Sequence, residues 1–359
     1  MKNRKRVLVC PLDWGLGHAT RCIPIIKELM AQDADVFVAA DKSVYELLIR
    51  EFPTVKFITF SGLNIKYPPP ILFFPFMFVL FPRMIWQIFR EHRFLEELIE
   101  EYGFDIVISD NRYGLWNHKV KTVFMTHQVV VKTHRVLGFL NTFIFAISKY
   151  FIQKYSLLWI PDVEGARNFA GDLAHSYIIK RKTRFIGILS RFKNPLIQEN
   201  SFKYDICVII SGPEPQRTLF EELMIREIEK TSLKAVVVLG IVDRQIPVRE
   251  FKNGIIYPHL RGSRMEEVIA ASEMVISRSG YTTIMDLAVM GKRAIFVPTP
   301  GQTEQEYLAE RLMKMGLDYY QAQRDFDLKR AMVEAEKYNG LAMDVDLEAL
   351  SRAVKELLD

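Results

Sequence analysis

The sequence predicts an α/β fold with two parallel sheets, and three observations support this. Short apolar runs alternate with amphipathic helical segments, which is typical of parallel strands joined by helical crossovers. The pattern occurs twice, with a polar, proline-containing break near residue 190. The length of 359 residues exceeds that of one typical domain. We therefore expect two Rossmann-like domains, 1–190 and 191–340, followed by a C-terminal helix in 341–359.

The predicted strands are apolar runs bounded by turn residues. In the first half they are RVLVCPL, DVFVAA, VKFITF, DIVISD, KTVFMTH and LLWIPD, with a final strand in TRFIGILS. In the second half they are DICVIIS, AVVVLG, IIYPHL, MVISRS and AIFVPTP. Because parallel α/β sheets bind ligands at the carboxyl ends of their strands, the polar residues after these runs are the candidate site residues.

The distribution of charge and the cysteine content indicate the kind of partner and the cellular location. The net charge is +5, and residues 111–161 contain seven Lys or Arg but no acidic residue. This distribution suits an anionic partner such as a membrane surface or a phosphorylated substrate. No nucleic-acid-binding motif accompanies it, so we expect no nucleic-acid partner. The three cysteines form no CxxC pair, which favours reduced thiols and a cytoplasmic location.

Residues 67–93 depart from the α/β pattern because they are densely aromatic. The apolar run at 71–81 is shorter than the roughly 20 residues that a membrane-spanning helix needs. A buried core helix would account for part of it, but Phe76, Phe78 and Phe81 belong to a phenylalanine cluster too dense for one buried face. Flanking basic residues favour a segment that lies on a membrane surface, with 135–151 beside it.

The turn after the first strand, DWGLGHATR, carries more polar residues than a tight turn requires. Gly15 and Gly17 allow the backbone to approach a ligand closely. His18 and Arg21 lie at the start of a helix, where free N–H groups favour anions. A solvated turn is the alternative interpretation of these residues taken alone.

Two further strands of the same predicted sheet end in polar residues. Asp110 closes the strand in ISDNRYG, and His127 and Gln128 follow the next strand in MTHQ. Because these ends share one edge of the sheet with the first turn, the residues favour a common site. Neutral imidazole is a suitable general base, and Asp110 would either orient His18 or act as the base itself.

The second half contains a stretch that fits a nucleotide, ISRSGYTTIMDLAVMGKRAIFVPTPGQTEQE. Ser279 and Gly280 begin a helix whose N–H groups suit a diphosphate. Asp286 lies one to two turns further on, at a distance that suits ribose hydroxyls. Gln305 and Glu306 begin the next helix and would face the same strand ends.

This stretch resembles the nucleotide-sugar-binding domain of GT-B glycosyltransferases of family 28, the type that forms lipid II in peptidoglycan synthesis. Family members often have Glu where this chain has Asp286 and Gln where it has Glu306. The resemblance implies a GT-B fold, whose two Rossmann-like domains face each other across a cleft, and a UDP-sugar donor. It also implies that His259 and Leu260 in YPHLRG hold the uracil, and that no cofactor or metal is needed in the active site.

The loop after DICVII matches the family less well. It reads SGPEPQRT, in which Ser211, Gly212 and Arg217 are candidate diphosphate contacts. Pro213 and Pro215 have no N–H group, so the loop offers fewer hydrogen-bond donors than a glycine-rich loop would.

The predicted function is glycosyl transfer, hexosyl or N-acetylhexosaminyl, from a UDP-sugar to a membrane-associated or lipid-linked acceptor of the cell envelope, with inversion. Arg21, Arg112 and Gln128 are candidate acceptor or membrane contacts on a peripheral protein at the inner face of the membrane. The enzymatic alternative is a nucleotide-sugar hydrolase of the pseudaminic-acid-pathway type, whose turn also reads Gly-x-Gly-His-x-x-Arg. The other alternative is a non-catalytic nucleotide-sugar-binding or lipid-binding protein.

Overall fold

A computed structural model shows two compact units, each built on one seven-stranded sheet. The first unit comprises Met1–Leu189 with Asp346–Asp359, and the second comprises Ser190–Val345. The predicted fold class of two parallel α/β sheets is confirmed. The structure describes residues 4–13, 15–62, 73–130, 138–176, 182–192, 202–241, 246–260, 262–341, 346 and 348–359.

The sheet of the first unit is entirely parallel, in the order β3-β2-β1-β4-β5-β6-β7. The chain builds outward from β1 on one side and then returns to place β4 on the other, so the strand order reverses between β1 and β4. Its strands are β1 (Arg6–Cys10), β2 (Asp35–Ala40), β3 (Lys56–Thr59), β4 (Ile106–Asp110), β5 (Lys121–Met125), β6 (Leu157–Ile160) and β7 (Thr183–Phe185).

Helices cover this sheet, and its central strands are therefore buried along almost their whole length. Every residue of β4 is buried, as are the last four residues of β1, which is the pattern of a strand covered on both faces. The helices of the first half are α1 (Leu16–Ala31), α2 (Lys42–Glu51), α3 (Phe73–Tyr102), α4 (Gly138–Ile152) and α5 (Asp172–His175).

The second unit repeats the parallel design with an antiparallel strand at one edge. Its order is β10-β11-β9-β8-β12-β13-β14, and the reversal lies between β8 and β12. The strands are β8 (Tyr204–Ile209), β9 (Ala235–Val238), β10 (Arg249–Phe251), β11 (Gly254–Tyr257), β12 (Ser272–Ser277), β13 (Ala294–Phe296) and β14 (Tyr319–Tyr320). Its helices are α6 (Gln216–Glu229), α7 (Gly262–Ala270), α8 (Tyr281–Val289), α9 (Thr303–Lys314) and α10 (Leu328–Ala335).

The two edge strands β10 and β14 were not predicted from the sequence. They are only three and two residues long, and their side chains are exposed or half-buried, so neither produces an apolar run. The hairpin between β10 and β11 turns at residues 252–253. At Gly254, the first residue of β11, a Cβ would lie 2.2 Å from the carbonyl oxygen of Ala235. Only glycine allows the hairpin to approach β9 so closely.

The last helix, α11 (Ala349–Leu358), belongs to the first unit although the chain reaches it from the second. Val354 and Leu357 are buried, and the Glu356 carboxylate pairs with Arg184 of β7 at 2.7 Å. Gln32, directly after α1, donates its side-chain amide to the carbonyl of Ser351 at 2.9 Å. The helix therefore fastens the end of the chain to the first sheet.

The amino-terminal edge of the second sheet buries two ionisable side chains. Lys292 donates to the carbonyls of Ala270 and Ser272 at 2.8 and 2.7 Å, and burial lowers its pKa to about 8. Asp318 accepts the N–H of Ala294 at 2.7 Å, while its other oxygen is buried without a partner in the described part of the chain. Burial raises the pKa of Asp318 to about 7.

The folded protein therefore holds the Asp318 proton more tightly than the unfolded chain does, and ionisation of this carboxyl opposes folding. Its contribution to stability is fully present near pH 4 and is lost as the pH rises through about 7. Asp318→Asn keeps the acceptor for Ala294 and removes the charge. We expect the variant to match the wild type near pH 4 and to exceed it at pH 8 by up to roughly 4 kcal/mol.

Urea unfolding followed by circular dichroism at the two pH values measures this difference. Asp327→Asn is the matched control because Asp327 is an exposed N-cap of α10, for which Asn serves equally well. An Asp318→Asn variant whose stability relative to the wild type is the same at both pH values would contradict the prediction.

Candidate active site

Three strand ends of the first unit bring His18, Asp110 and His127 together. His18 lies in the first turn of α1, Asp110 is the last residue of β4, and His127 follows β5 by two residues. The Nδ1 atom of His18 lies 2.9 Å from Oδ2 of Asp110. The cluster lies where the strand order reverses, which is the position at which doubly wound sheets bind ligands.

Arg21 of α1 lies at the centre of this cluster and is 2% exposed. Its Nε atom donates to Oδ2 of Asp110 at 3.0 Å, and its Nη2 atom donates to Oδ1 of the same carboxylate. Nη2 also lies 2.7 Å from Nδ1 of His18, and Nη1 lies 2.8 Å from Nδ1 of His127. One guanidinium thus contacts the other three members of the site.

This arrangement determines the charge states of His18 and Asp110. Burial and the nearby Arg21 charge lower the pKa of His18, so the ring is neutral at physiological pH. Burial by itself would raise the pKa of Asp110, but the Arg21 charge and the hydrogen bonds from Arg21 and His18 outweigh it and hold that pKa below its ordinary value. A neutral imidazole beside a permanent carboxylate is the arrangement of a general base and its orienting group.

The backbone at Gly15, directly before α1, has open space beside it. Gly15 is extended, with a φ of 162°, and a Cβ added there would meet nothing within 4 Å. The fold itself therefore does not require glycine at this position. The carbonyl of Gly17 accepts the Thr20 hydroxyl at 3.1 Å, and half-buried Gln128 donates its N–H to the Thr126 hydroxyl at 3.0 Å.

Two arginines predicted to contact an acceptor or the membrane have partners within the protein. Arg21 belongs to the buried cluster, and Arg112 is 1% exposed. The Arg112 guanidinium donates to Glu91 at 2.8 Å, to Asp13 at 2.6 Å and to the carbonyl of Pro11 at 2.9 Å. All three of its nitrogens are bonded internally, which argues against Arg112 as an acceptor or membrane contact.

In the second unit the predicted diphosphate residues flank the strand reversal between β8 and β12. Ser211 and Gly212 follow β8 and are exposed, and Gly212 has a φ of 111° that favours glycine. Gly280 is the N-cap of α8, and the buried Ser279 donates its hydroxyl to the carbonyl of Gln305 at 2.7 Å. Backbone N–H groups at the start of a helix favour anions.

Asp286, the predicted ribose contact, is 6% exposed. Its carboxylate accepts the Ser190 hydroxyl at 2.7 Å, and the Nε atom of Arg191 lies 3.4 Å away. Burial raises the pKa of Asp286 although Arg191 opposes the shift. A nucleotide that bonds to this carboxylate therefore joins or replaces the Ser190 hydroxyl.

Arg217, Gln305 and Glu306 take part in local contacts. The Arg217 guanidinium bonds to Glu214 at 2.8 Å and to Glu221 at 3.3 Å, so acidic groups already balance the charge predicted to hold a diphosphate. The Gln305 side-chain oxygen accepts the N–H of Thr299 at 2.8 Å, and Glu306 accepts that of Gly301 at 3.0 Å. Both acceptors shape the turn before α9.

The predicted uracil contacts and two of the predicted membrane contacts are less fully described. His259 is half-buried and Leu260 is buried, after β11. Phe81 is 36% exposed on α3, whereas the side chains of Phe76 and Phe78 lie outside the described part of the structure. Within the described residues, no helix is both long and apolar enough to cross a membrane.

Arg278 shapes the strand ends of the second unit, a role that the sequence did not predict. It follows β12, is 1% exposed and lies with its guanidinium carbon 4.0 Å from the Phe220 ring centroid. It donates to the carbonyls of Val297 at 2.9 Å and Gln216 at 3.1 Å. Arg278 thus ties the end of β12 to the end of β13 and to the start of α6. An arginine directly after an apolar strand was the only signal in the sequence.

Comparison with known proteins relates these features to one family. Residues 244–345 match the glycosyltransferase family 28 C-terminal domain. A Histophilus somni UDP-N-acetylglucosamine–N-acetylmuramyl-(pentapeptide) pyrophosphoryl-undecaprenol N-acetylglucosamine transferase is 25% identical over 98% of this chain and 92% of its own length. A Sulfurihydrogenibium protein of the same name is 28% identical over 52% of this chain and 53% of its own.

Solved structures show that the fold is GT-B. The glycotransferase of kitacinnamycin superposes with a TM-score of 0.63 at 12% identity, covering 99% of this chain and 94% of that one. The spinosyn rhamnosyltransferase SpnG complexed with thymidine diphosphate gives 0.59 at 15% identity, covering 99% and 95%. MurG of Acinetobacter baumannii gives 0.54 at 12%, covering 99% and 93%.

We expect Arg278→Met to destabilise the second unit by roughly 2–4 kcal/mol, because it leaves buried carbonyls without their donor. All four tryptophans lie in the first unit, so hydrogen exchange of peptides from 272–312 is the appropriate measurement. Arg264→Met is the matched control, because its ion pair with Glu267 is exposed and contributes little. Equal exchange in the two variants would contradict a strand-tying role for Arg278.

Proposed function

We propose that this chain, which has the GT-B fold and resembles glycosyltransferases of family 28, transfers a hexosyl or N-acetylhexosaminyl group from a UDP-sugar to a membrane-associated or lipid-linked acceptor, with inversion. The observation that carries the proposal is the contact between half-buried His18 and fully buried Asp110 at the strand reversal of the first unit. In this proposal His18 is the base that accepts the proton of the acceptor hydroxyl, and Asp110 orients its ring.

The chemistry requires one proton acceptor and stabilisation of a leaving diphosphate. An acceptor hydroxyl attacks the anomeric carbon and forms the new C–O bond, while the bond to the diphosphate breaks and its electron pair leaves with UDP. The hydroxyl proton passes to Nε2 of His18, whose other nitrogen faces Asp110. Attack opposite the leaving group inverts the configuration.

The second unit supports the donor part of the proposal. The backbone at Gly212 and Gly280 flanks its strand reversal, and the start of α8 favours the diphosphate. Asp286 would accept a ribose hydroxyl in place of the Ser190 hydroxyl that it now accepts. A rhamnosyltransferase of the same fold has been solved with thymidine diphosphate, which is consistent with a nucleoside diphosphate here.

The membrane part of the proposal rests on an exposed aromatic surface formed by α3 and α4. Phe81 and Phe143 lie with their ring centroids 6.1 Å apart, so the two helices present their aromatic residues side by side. The side chains exposed there, with their exposed fractions, are Phe81 at 36%, Trp86 at 60%, Phe89 at 54%, Phe143 at 57% and Tyr150 at 57%.

The charges around this aromatic surface are basic. Arg90 lies 5.1 Å from the Trp86 ring and Lys154 lies 4.8 Å from the Tyr150 ring. The first acidic residue of α3 is Glu91, which is buried against Arg112, and α4 contains none. Exposed aromatic rings edged by cations, without competing acids, suit the interface of an anionic bilayer.

A nucleotide-sugar hydrolase is the second candidate, and one observation favours it. Its turn pattern Gly-x-Gly-His-x-x-Arg is present here, and Arg21 at the last position of that pattern contacts His18 directly. In such an enzyme the base would take its proton from water rather than from an acceptor hydroxyl. The two functions differ in whether UDP release requires an acceptor.

The test is UDP release from a panel of UDP-sugars, with and without a membrane lipid extract. We expect release to depend on the extract, and His18→Ala to lower turnover by about 10²–10⁴-fold, the usual effect of removing a positioned base. Release that is equally fast without the extract would favour the hydrolase, and binding of UDP-sugars without turnover would favour a binding protein.

Asp286→Ala is the companion variant, measured by calorimetry with UDP. We expect it to weaken UDP binding by roughly 1.5–3 kcal/mol through loss of a charged hydrogen-bond acceptor, while His18→Ala leaves UDP affinity nearly unchanged. The opposite result, in which His18→Ala abolishes UDP binding and Asp286→Ala does not, would contradict the division of roles between the units.

Membrane attachment is tested with the triple variant Trp86→Ser, Phe89→Ser and Phe143→Ser in flotation with phosphatidylglycerol vesicles. We expect at least a tenfold loss of vesicle binding, because burying each aromatic side chain in the interface contributes about 1.5–3 kcal/mol. The control triple variant, Phe202→Ser, Leu219→Ser and Val333→Ser, removes exposed apolar side chains from the second unit and should bind normally. Equal binding by both variants would refute the proposed surface.

A further inference from the structure

The two histidines of the site differ in what faces their Nδ1 atoms. His127 Nδ1 lies 2.8 Å from Nη1 of Arg21, and the nitrogens of an arginine side chain can only donate hydrogen bonds. Nδ1 of His127 must therefore accept. In a neutral imidazole whose Nδ1 accepts, the proton is on Nε2, which makes that nitrogen a donor.

Nδ1 of His18 faces both a donor and an acceptor, whereas the Arg21 contact offers Nδ1 of His127 a donor. Nδ1 of His18 lies 2.7 Å from Nη2 of Arg21 but also 2.9 Å from Oδ2 of Asp110, and a carboxylate can only accept. With its proton on Nδ1, directed at Asp110, His18 keeps an unprotonated Nε2. That tautomer is the one in which His18 is a base.

Resting on the function proposed above, we infer that Arg21 is a positioning residue that holds His127 as a neutral hydrogen-bond donor through Nε2, so that His18 is the only base of the pair. Nε2 of His127 then donates a hydrogen bond to an oxygen atom of the reactants, such as a diphosphate or acceptor oxygen, and takes no proton from it. The shared guanidinium assigns opposite roles to two chemically identical rings.

Burial protects the hydrogen bonds of this cluster from water. Arg21 is 2% exposed, Asp110 is fully buried and His127 is 8% exposed, so water does not compete effectively for their hydrogen bonds. A further titratable group within the described residues, Cys22, lies with its sulfur 3.9 Å from Asp110. Burial raises the pKa of that thiol well above its ordinary value. It stays a neutral thiol beside Asp110, Arg21 and the two histidines.

The direct test is nitrogen NMR of the ring atoms in the full chain labelled with ¹⁵N-histidine. Spectra of His18→Gln and His127→Gln identify the two sets of signals among the seven histidines. We expect His127 to show the tautomer protonated on Nε2 at neutral pH. A His127 signal protonated on Nδ1, or on both nitrogens, would overturn the inference. Because this measurement needs no turnover, it stands or falls separately from the proposed function.

Turnover of His127 variants provides a second test. His127→Gln places an amide N–H near the position of Nε2, so we expect a loss within about tenfold, whereas His127→Ala should lose about 10²-fold, as removal of a fixed donor does. If His127 were the base, Gln would be as inactive as Ala and the acid limb of the pH–rate profile would shift in both. Equal inactivity of Gln and Ala would therefore overturn the donor role.

The role of Arg21 itself is tested with Arg21→Lys, which keeps the charge but cannot span Asp110 and His127 with one ammonium group. We expect the His127 ring signals to leave the pure Nε2–H pattern in this variant, with circular dichroism confirming that it folds. Unchanged His127 signals in a folded Arg21→Lys protein would show that another group sets the tautomer. If the variant does not fold, the wild-type spectrum still decides the inference.

Discussion

The buried ion pair between Arg21 and Asp110 is the interaction on which the site of the first unit depends. Taking two charges out of water is costly, and the cost is offset only when every polar atom is bonded. Asp110 ends a fully buried strand, and Arg21 reaches it from the adjacent helix with two hydrogen bonds. Nη1 of the same guanidinium lies 2.8 Å from Nδ1 of His127 and Nη2 lies 2.7 Å from Nδ1 of His18, so the ion pair positions both rings.

Each unit uses a buried arginine to join its strand ends. In the second unit Arg278 ties β12 to the turn after β13 and to α6, through carbonyl oxygens rather than a carboxylate. Loops at the ends of parallel strands have few hydrogen bonds of their own, and a buried guanidinium supplies several donors from one rigid group. Both arginines stand near the point where strand order reverses, so the fold places these supports beside the regions proposed to bind ligands.

Arg112 extends the same principle to the aromatic helix. It joins Pro11 and Asp13, which follow β1, to Glu91 of α3. The acidic residue of α3 nearest to the aromatic surface is consequently buried, and the surface that faces solvent is aromatic and basic. The proposed membrane surface and the candidate base are thus attached to the same strand β1 of one unit.

The sequence by itself determined the order of elements and the strand ends that carry polar residues, because burial on both faces produces continuous apolar runs. It also determined the resemblance to glycosyltransferase family 28, because the 276–312 stretch has a specific spacing. Only the tertiary structure decided which polar groups contact one another. Arg112, Arg217 and Gln305 have partners inside the protein, and Arg21 and Arg278 organise the strand ends. Pairings such as Arg21 with Asp110 join residues 89 positions apart, and they depend on strand order, which local patterns do not encode.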